Sequence, residues 1–116
     1  MADNCIFCRI VAGEIPAQIV ARNEHAIAFR DLHPQAPTHM LVVPTRHVDA
    51  VRDAAGEDGA ALLGHVFQLA AKVATEAGLD ATGYRLVTNT GREAGQSVFH
   101  LHVHLLGGRP LGWPPG

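Results

Sequence analysis

Residues 98 to 106 read Val-Phe-His-Leu-His-Val-His-Leu-Leu. In an extended strand successive side chains point to opposite faces. Leu101, Val103 and Leu105 then share one face, and His100, His102 and His104 share the other, with successive imidazoles roughly 6.8 Å apart at the backbone. A helical period would mix the two sets. The chain is therefore expected to contain a sheet with an apolar layer on one side of this strand and a use for imidazoles on the other.

The remaining pattern supplies that layer. After Asp53, a candidate N-cap, Glu57 and Asp58 fall in the first turn of a long helix, where acids oppose the positive end of the helix dipole. Leu62, Val66, Leu69 and Val73 follow helical spacing, and Gly78 marks the end. Cys5 to Val11 is expected to form a short helix with Ile6, Phe7, Ile10 and Ile15 on its apolar side. Gln18–Arg22 and Ala26–Asp31, joined by Asn23-Glu24-His25, read as a hairpin. His39–Pro44 is largely apolar and expected to be central in the sheet. Tyr84–Asn89 and Val98–Leu106 complete five strands around the loop Thr90–Ser97. The reading is an α+β domain with a five-stranded antiparallel sheet, one long and one short helix, spanning 1–116, with an irregular Gly- and Pro-rich tail over 107–116.

At 116 residues a chain buries about 60–70% of its unfolded surface, enough for one core. Nine Lys and Arg against 11 Asp and Glu argue against a broad electrostatic grip on nucleic acid or membrane. Met1-Ala2-Asp3-Asn4-Cys5 lacks a basic region followed by an apolar stretch, and no apolar run approaches the roughly 20 residues of a membrane span. A cytoplasmic protein is expected.

Eight histidines are many for this length. Aligned imidazoles on a strand have a bland reading, a solvated face, and two chemical ones. Two can lean toward one zinc that activates water. Alternatively, neutral imidazole is a nucleophile, and a neighbouring histidine can protonate a departing group. The Gly91–Ser97 loop offers backbone N–H groups, an amide and a hydroxyl to a phosphate, although no P-loop or Gly-x-Gly-x-x-Gly is present. Cys5 and Cys8, spaced C-x-x-C, are half a metal site, a redox pair or two buried apolar residues. The β-α-β context of a thioredoxin-like redox motif is missing.

His100-Leu101-His102-Val103-His104-Leu105-Leu106 resembles the signature of the histidine triad superfamily. Cys5-Ile6-Phe7, Glu14-Ile15-Pro16-Ala17, Pro34 to His39, Gly95-Gln96-Ser97-Val98 and the ending Gly107 to Gly116 resemble its branch of purine nucleoside phosphoramidases. The resemblance implies a hydrolase that cleaves the P–N bond of a purine nucleoside 5′-phosphoramidate through a nucleotidyl-histidine. It implies that His102 attacks phosphorus, that His104, His39 and Ser97 assist, and that Asn89 and Gln96 lie near the phosphate. It places the ribose on Asp31 and the purine of AMP, GMP or a conjugate in a slot of Ile6, Phe7, Ile10, Phe29 and Leu32. His25, His33 and His65 match nothing in the signature and are expected on the surface.

The resemblance further implies a structural zinc held by Cys5, Cys8, His47 and His100, with no cofactor required for the chemistry. Many members lack the second cysteine, so buried apolar cysteines stay as the alternative. It also implies a homodimer in which the tail, with Trp113, reaches the partner's site. Two rival functions share these residues: hydrolysis of dinucleoside polyphosphates, and a non-catalytic zinc-binding adaptor.

Overall fold

The computed structural model describes residues 4–116; Met1, Ala2 and Asp3, on which part of the leader reading rests, lie outside the described residues. Element order is α1 (Ile6–Val11), β1 (Ile19–Arg22), β2 (Ala26–Arg30), β3 (Thr38–Pro44), α2 (Gly56–Glu76), β4 (Tyr84–Val87) and β5 (Val103–Gly107). The strands form one antiparallel sheet in the order β1-β2-β3-β5-β4, so the most apolar strand, β3, is central as expected.

Strand alternation assigns two cores to the two faces. Ala26, Ala28, Met40, Val42, Val103 and Leu105 face α2, where they meet Leu62, Val66, Leu69, Ala70 and Val73. Ile27, Phe29, Leu41 and Val43 face the other way and meet Phe7 and Ile10 of α1. Both cores are buried, and each fully buried aliphatic side chain contributes roughly 1.5–3 kcal/mol. Alanines at 26, 28, 70 and 74 leave the long helix close to the sheet.

Several strand ends shift by one or two residues from the sequence reading, β4 stopping at Val87 rather than Asn89, and two differences have a clear physical cause. Asp53 is not the N-cap of α2: it closes a 3₁₀ turn, Val51–Asp53, and Ala55 occupies the cap without a side-chain bond. The cause is Gly56 at φ +71°, a left-handed backbone setting that separates turn from helix. The C-terminal end behaves as expected. Gly78 sits at φ +78°, the Leu79 N–H bonds back to the Ala74 carbonyl at 3.0 Å, and the Leu79 side chain enters the core.

The last strand starts at Val103, five residues later than its pattern suggests. Residues 98–102 keep the alternation but not the ladder. The Leu101 N–H bonds to the Val48 carbonyl at 2.7 Å, and the His102 carbonyl accepts from the Thr88 hydroxyl at 2.9 Å. Loops take the partners that strands would have taken. Among the described residues no helix is long and apolar enough to cross a membrane.

Two glycines of α2 give opposite expectations for one substitution. A Cβ at Gly59 would collide with the Ala54 backbone, whereas one at Gly64 meets nothing within 4 Å. Gly64→Ala is expected to stabilise by about 0.5–1 kcal/mol, and Gly59→Ala to destabilise by about 1–3 kcal/mol, read from urea denaturation. The same sign for both would contradict the packing described for the start of α2.

Candidate active site and metal-ligand cluster

The imidazole face of the 98–106 segment is not a solvated strand surface. Phe7, carried by α1, packs edge-on against His100 and His102 with ring centroids 6.0 and 5.1 Å away. His100 is fully buried and His102 is 7% exposed. His39 arrives from β3, which pairs with β5 in a register that sets His39 opposite Leu106 and Leu41 opposite His104. His102 and His104 stand 5.2 Å apart, and His39 and His104 5.1 Å.

Hydrogen bonds to groups that can only accept or only donate assign the ring protons. Nδ1 of His102 lies 2.7 Å from the His100 carbonyl, so it donates and the lone pair is on Nε2. No buried side-chain nitrogen or oxygen among the described residues lacks a partner. Since no protein group bonds Nε2 of His102, that atom is open to the cleft. His39 is fixed the other way. Its Nδ1 accepts from the Gln35 N–H at 2.9 Å, so the neutral ring carries its proton on Nε2 and donates it to Nδ1 of His104 at 2.9 Å. His104 then presents Nε2–H. The Asp31 carboxylate stands 3.4 Å from Nε2 of His39.

Burial pushes the His104 imidazole down to about 4, with repulsion from His102 and His39 adding to it and Asp31 opposing. His39 is lowered by the same desolvation, again opposed by Asp31. Both rings are neutral near pH 7, which the relay of single protons requires.

A cleft of about 310 Å³ opens above these rings, lined by Ile6, Phe7, Ile10, Phe29, Asp31, Leu32, Ser97, His102 and His104. Nine of the thirteen residues expected in catalysis or substrate binding are therefore brought together. Leu32 is 88% exposed at the rim. His39 stands behind the cleft, next to His104. Asn89 is half-buried outside its lining. Trp113, 83% exposed, is not among the residues lining the cleft of its own chain. Gln96 is 4% exposed, and its amide is occupied by Gly91, Asp49 and Val98 backbone groups. Of the three histidines expected on the surface, His33 lines the cleft, and His25 and His65 stack face to face at 3.7 Å. Arg30, Pro16, Ala17, Leu41 and Val98 complete the lining; nothing in their spacing marks them.

Cys5, Cys8, His47 and His100 form a second cluster whose ligand atoms lie within 4.8 Å of one another. Cys5 caps α1, accepting the Cys8 N–H on its sulfur at 3.3 Å. His100 donates Nε2–H to the Pro44 carbonyl at 3.0 Å, and His47 donates Nε2–H to Asp49 at 2.8 Å. Both leave Nδ1 unprotonated and aimed inward. The Nδ1 atoms are 3.2 Å apart, and sulfur-to-nitrogen distances are 3.3, 3.3 and 3.4 Å. A tetrahedron with Zn–N about 2.0–2.1 Å and Zn–S about 2.3 Å has edges of about 3.3 Å and 3.6 Å. The cluster fits a metal ion. Desolvation and the neighbouring Cys5 push the Cys8 thiol up to about 11, and a bound cation supplies the charge that favours thiolate. Asp49 is the residue that sequence reasoning missed; its place two residues after His47 was the available signal.

Asp31, His39 and His104 also lie within ligand distance of one another, but ring protons separate the two groups. A metal on Nε2 of His39 would require the proton on Nδ1, where the Gln35 N–H already points. This trio is built as a hydrogen-bond relay.

A family model for the HIT domain matches residues 12–111. The purine nucleoside phosphoramidase of Escherichia coli K12 is 48% identical over 112 residues, 97% of this chain and 93% of that protein. An uncharacterized HIT-like protein of Synechocystis is 48% identical over 116 residues, the full length of both. The crystal structure of a HIT family hydrolase from Legionella pneumophila Philadelphia 1 superposes with a TM-score of 0.93 at 48% identity, covering 97% of this chain and all of that one.

The depressed imidazole sets a pH dependence. His104 binds a proton near 6.5 when unfolded and near 4 when folded, so the unfolded state holds more protons between these values. This contribution to stability is complete above about pH 6.5 and is lost as pH falls toward about 4. Urea midpoints measured from pH 7.5 to 4.5 are expected to fall with acidity, and His104→Asn to flatten part of the slope. A slope unaltered by His104→Asn would contradict the assignment.

Proposed function

The chain belongs to the HIT domain family, and from that membership and its ring-proton arrangement we propose that it hydrolyses purine nucleoside 5′-phosphoramidates through a nucleotidyl-histidine on His102. The observation that carries this reading is the 2.7 Å bond from Nδ1–H of His102 to the His100 carbonyl, which leaves an unprotonated Nε2 facing the cleft.

The apolar end of the cleft, with Ile6, Phe7, Ile10, Phe29 and Leu32, suits a purine. Asp31 has one oxygen occupied by the His33 N–H at 2.7 Å, and its remaining acceptor capacity takes ribose hydroxyls. That places phosphorus among Ser97, His102 and His104. Nε2 of His102 bonds to phosphorus as the P–N bond breaks, and His104 presents its Nε2–H to the departing nitrogen. Water then cleaves the P–N bond to His102, its hydroxyl going to phosphorus and its remaining proton returning to Nε2 of His104, which gives the nucleoside monophosphate and restores both rings. His39 acts behind His104, holding its proton on the cleft side.

We assign the Cys5, Cys8, His47 and His100 cluster to one structural zinc. Four protein ligands close the coordination sphere, so the zinc stabilises the fold and the chemistry proceeds without it. His100 thus serves metal with its ring and catalysis with its carbonyl. The exposed Trp113, on a tail tied down by Arg85 through the Gly112 carbonyl at 2.8 Å, is proposed to reach the cleft of a second copy in a homodimer.

With adenosine 5′-phosphoramidate as substrate, His102→Ala is expected to fold and to lose turnover by about 10³-fold or more. Appreciable residual hydrolysis would remove His102 from the nucleophile role. A higher kcat/KM for a diadenosine polyphosphate than for the phosphoramidate would move the assignment to dinucleoside polyphosphate hydrolysis. Metal analysis is expected to find about one zinc per chain, and Cys8→Ala to lose it along with thermal stability.

A further inference from the structure

Gln96 is buried in the loop that follows β4, yet its side chain faces backbone on every side. Oε1 accepts the Gly91 N–H at 2.9 Å, and Nε2 donates to the carbonyls of Asp49 at 2.7 Å and Val98 at 3.2 Å. The Gln96 N–H returns to the Gly91 carbonyl at 3.0 Å. Both donors of the amide are used, so no N–H remains for a phosphate. The loop is closed at its base by a residue that does not itself line the cleft.

What Gln96 holds lies on either side of it. Ser97, the next residue, is exposed at the cleft. Asp49 is the carboxylate that fixes Nε2 of His47 at 2.8 Å, leaving Nδ1 of His47 turned toward the cysteine cluster. The intervening Val48 carbonyl holds the Leu101 N–H at 2.7 Å, between His100 and His102. Residues 47–49 thus touch the metal cluster, the histidine segment and, through Gln96, the phosphate loop.

We infer that Gln96 is a positioning residue that ties the Gly91–Ser97 loop to the Asp49 segment, so that the order of the metal cluster and the placement of Ser97 depend on one side-chain amide. The activity part of this inference rests on the phosphoramidase reading and the zinc-release part on the zinc assignment, while hydrogen exchange tests it independently of both. The link between cluster and loop is a property of the folded chain. Gln96→Glu separates the functions of the amide, because a carboxylate still accepts from Gly91 but faces the Asp49 and Val98 carbonyls without a donor.

The test uses zinc-loaded full-length protein, with wild type, Gln96→Glu and Gln96→Ala compared. Zinc release to a chromogenic chelator is expected to quicken about 10-fold or more in both variants, and amide hydrogen exchange to rise at Gly91 and Ser97. For adenosine 5′-phosphoramidate, kcat is expected to fall about 10-fold or more while KM stays within about 2-fold. Adding Ser97→Ala to Gln96→Ala is expected to cost little beyond the larger single effect. An unchanged release rate and unchanged exchange overturn the inference, as does a loss confined to KM, which would make Gln96 a direct substrate contact. Should Gln96→Ala fail to fold, Gln96→Glu carries every arm. A wild type inactive on phosphoramidates would overturn the function proposed above while leaving exchange and zinc release to decide the role of Gln96.

Discussion

An imidazole taken out of water needs partners for its ring nitrogens, because a buried polar group left unpaired costs about 1–3 kcal/mol. Packing α1 over His100 and His102, and burying His39 on β3, imposes that requirement on several rings at once. His100 pairs Nε2 with the Pro44 carbonyl, His102 pairs Nδ1 with the His100 carbonyl, and His39 pairs Nδ1 with the Gln35 N–H. Each partner is a main-chain group held by the fold. The ring protons are consequently set by backbone geometry, and the chemistry of each histidine follows from which nitrogen is left over.

Alternation along the segment gives this arrangement its economy. Leu101, Val103 and Leu105 anchor the strand in the α2 core, so the positions between them cannot turn away from the opposite face. His100 delivers Nδ1 to the cysteine cluster, while its carbonyl fixes the tautomer of the catalytic candidate two residues on. His104 completes the sequence with a proton held toward the cleft by His39. The tail contributes to the same network: Arg109 donates to the Gln35 carbonyl at 2.8 Å, steadying the residue whose N–H orients His39.

Much of this was legible in the sequence because period and spacing report faces. The apolar layer under the long helix, a central β3, a long helix stopped at Gly78 and the grouping of Asp31, Ser97, His102 and His104 all follow from alternation, helical stripes and the family signature, whereas the second core under α1 emerges only in the fold. The start of β5 did not, since the backbone of residues 98–102 bonds to Val48 and Thr88, partners distant in sequence. Nor did the N-cap of α2, where a positive-φ glycine overrides the preference of Asp53. Gln96 shows the same limit: its residue type suits a phosphate ligand, and only tertiary structure reveals that its amide is already occupied. Asp49 was passed over for a related reason: its spacing from His47 is visible, but its value depends on the ring orientation of His47.

The proposed chemistry depends on the placement of single protons, and long-range ¹⁵N–¹H correlation spectra of the imidazole rings at pH 7 read those protons directly. The expected pattern is Nδ1–H for His102 and Nε2–H for His39 and His104, with the His39 and His104 rings neutral. A His102 ring protonated on Nε2 would leave no lone pair facing the cleft and would contradict the nucleophile assignment at its root.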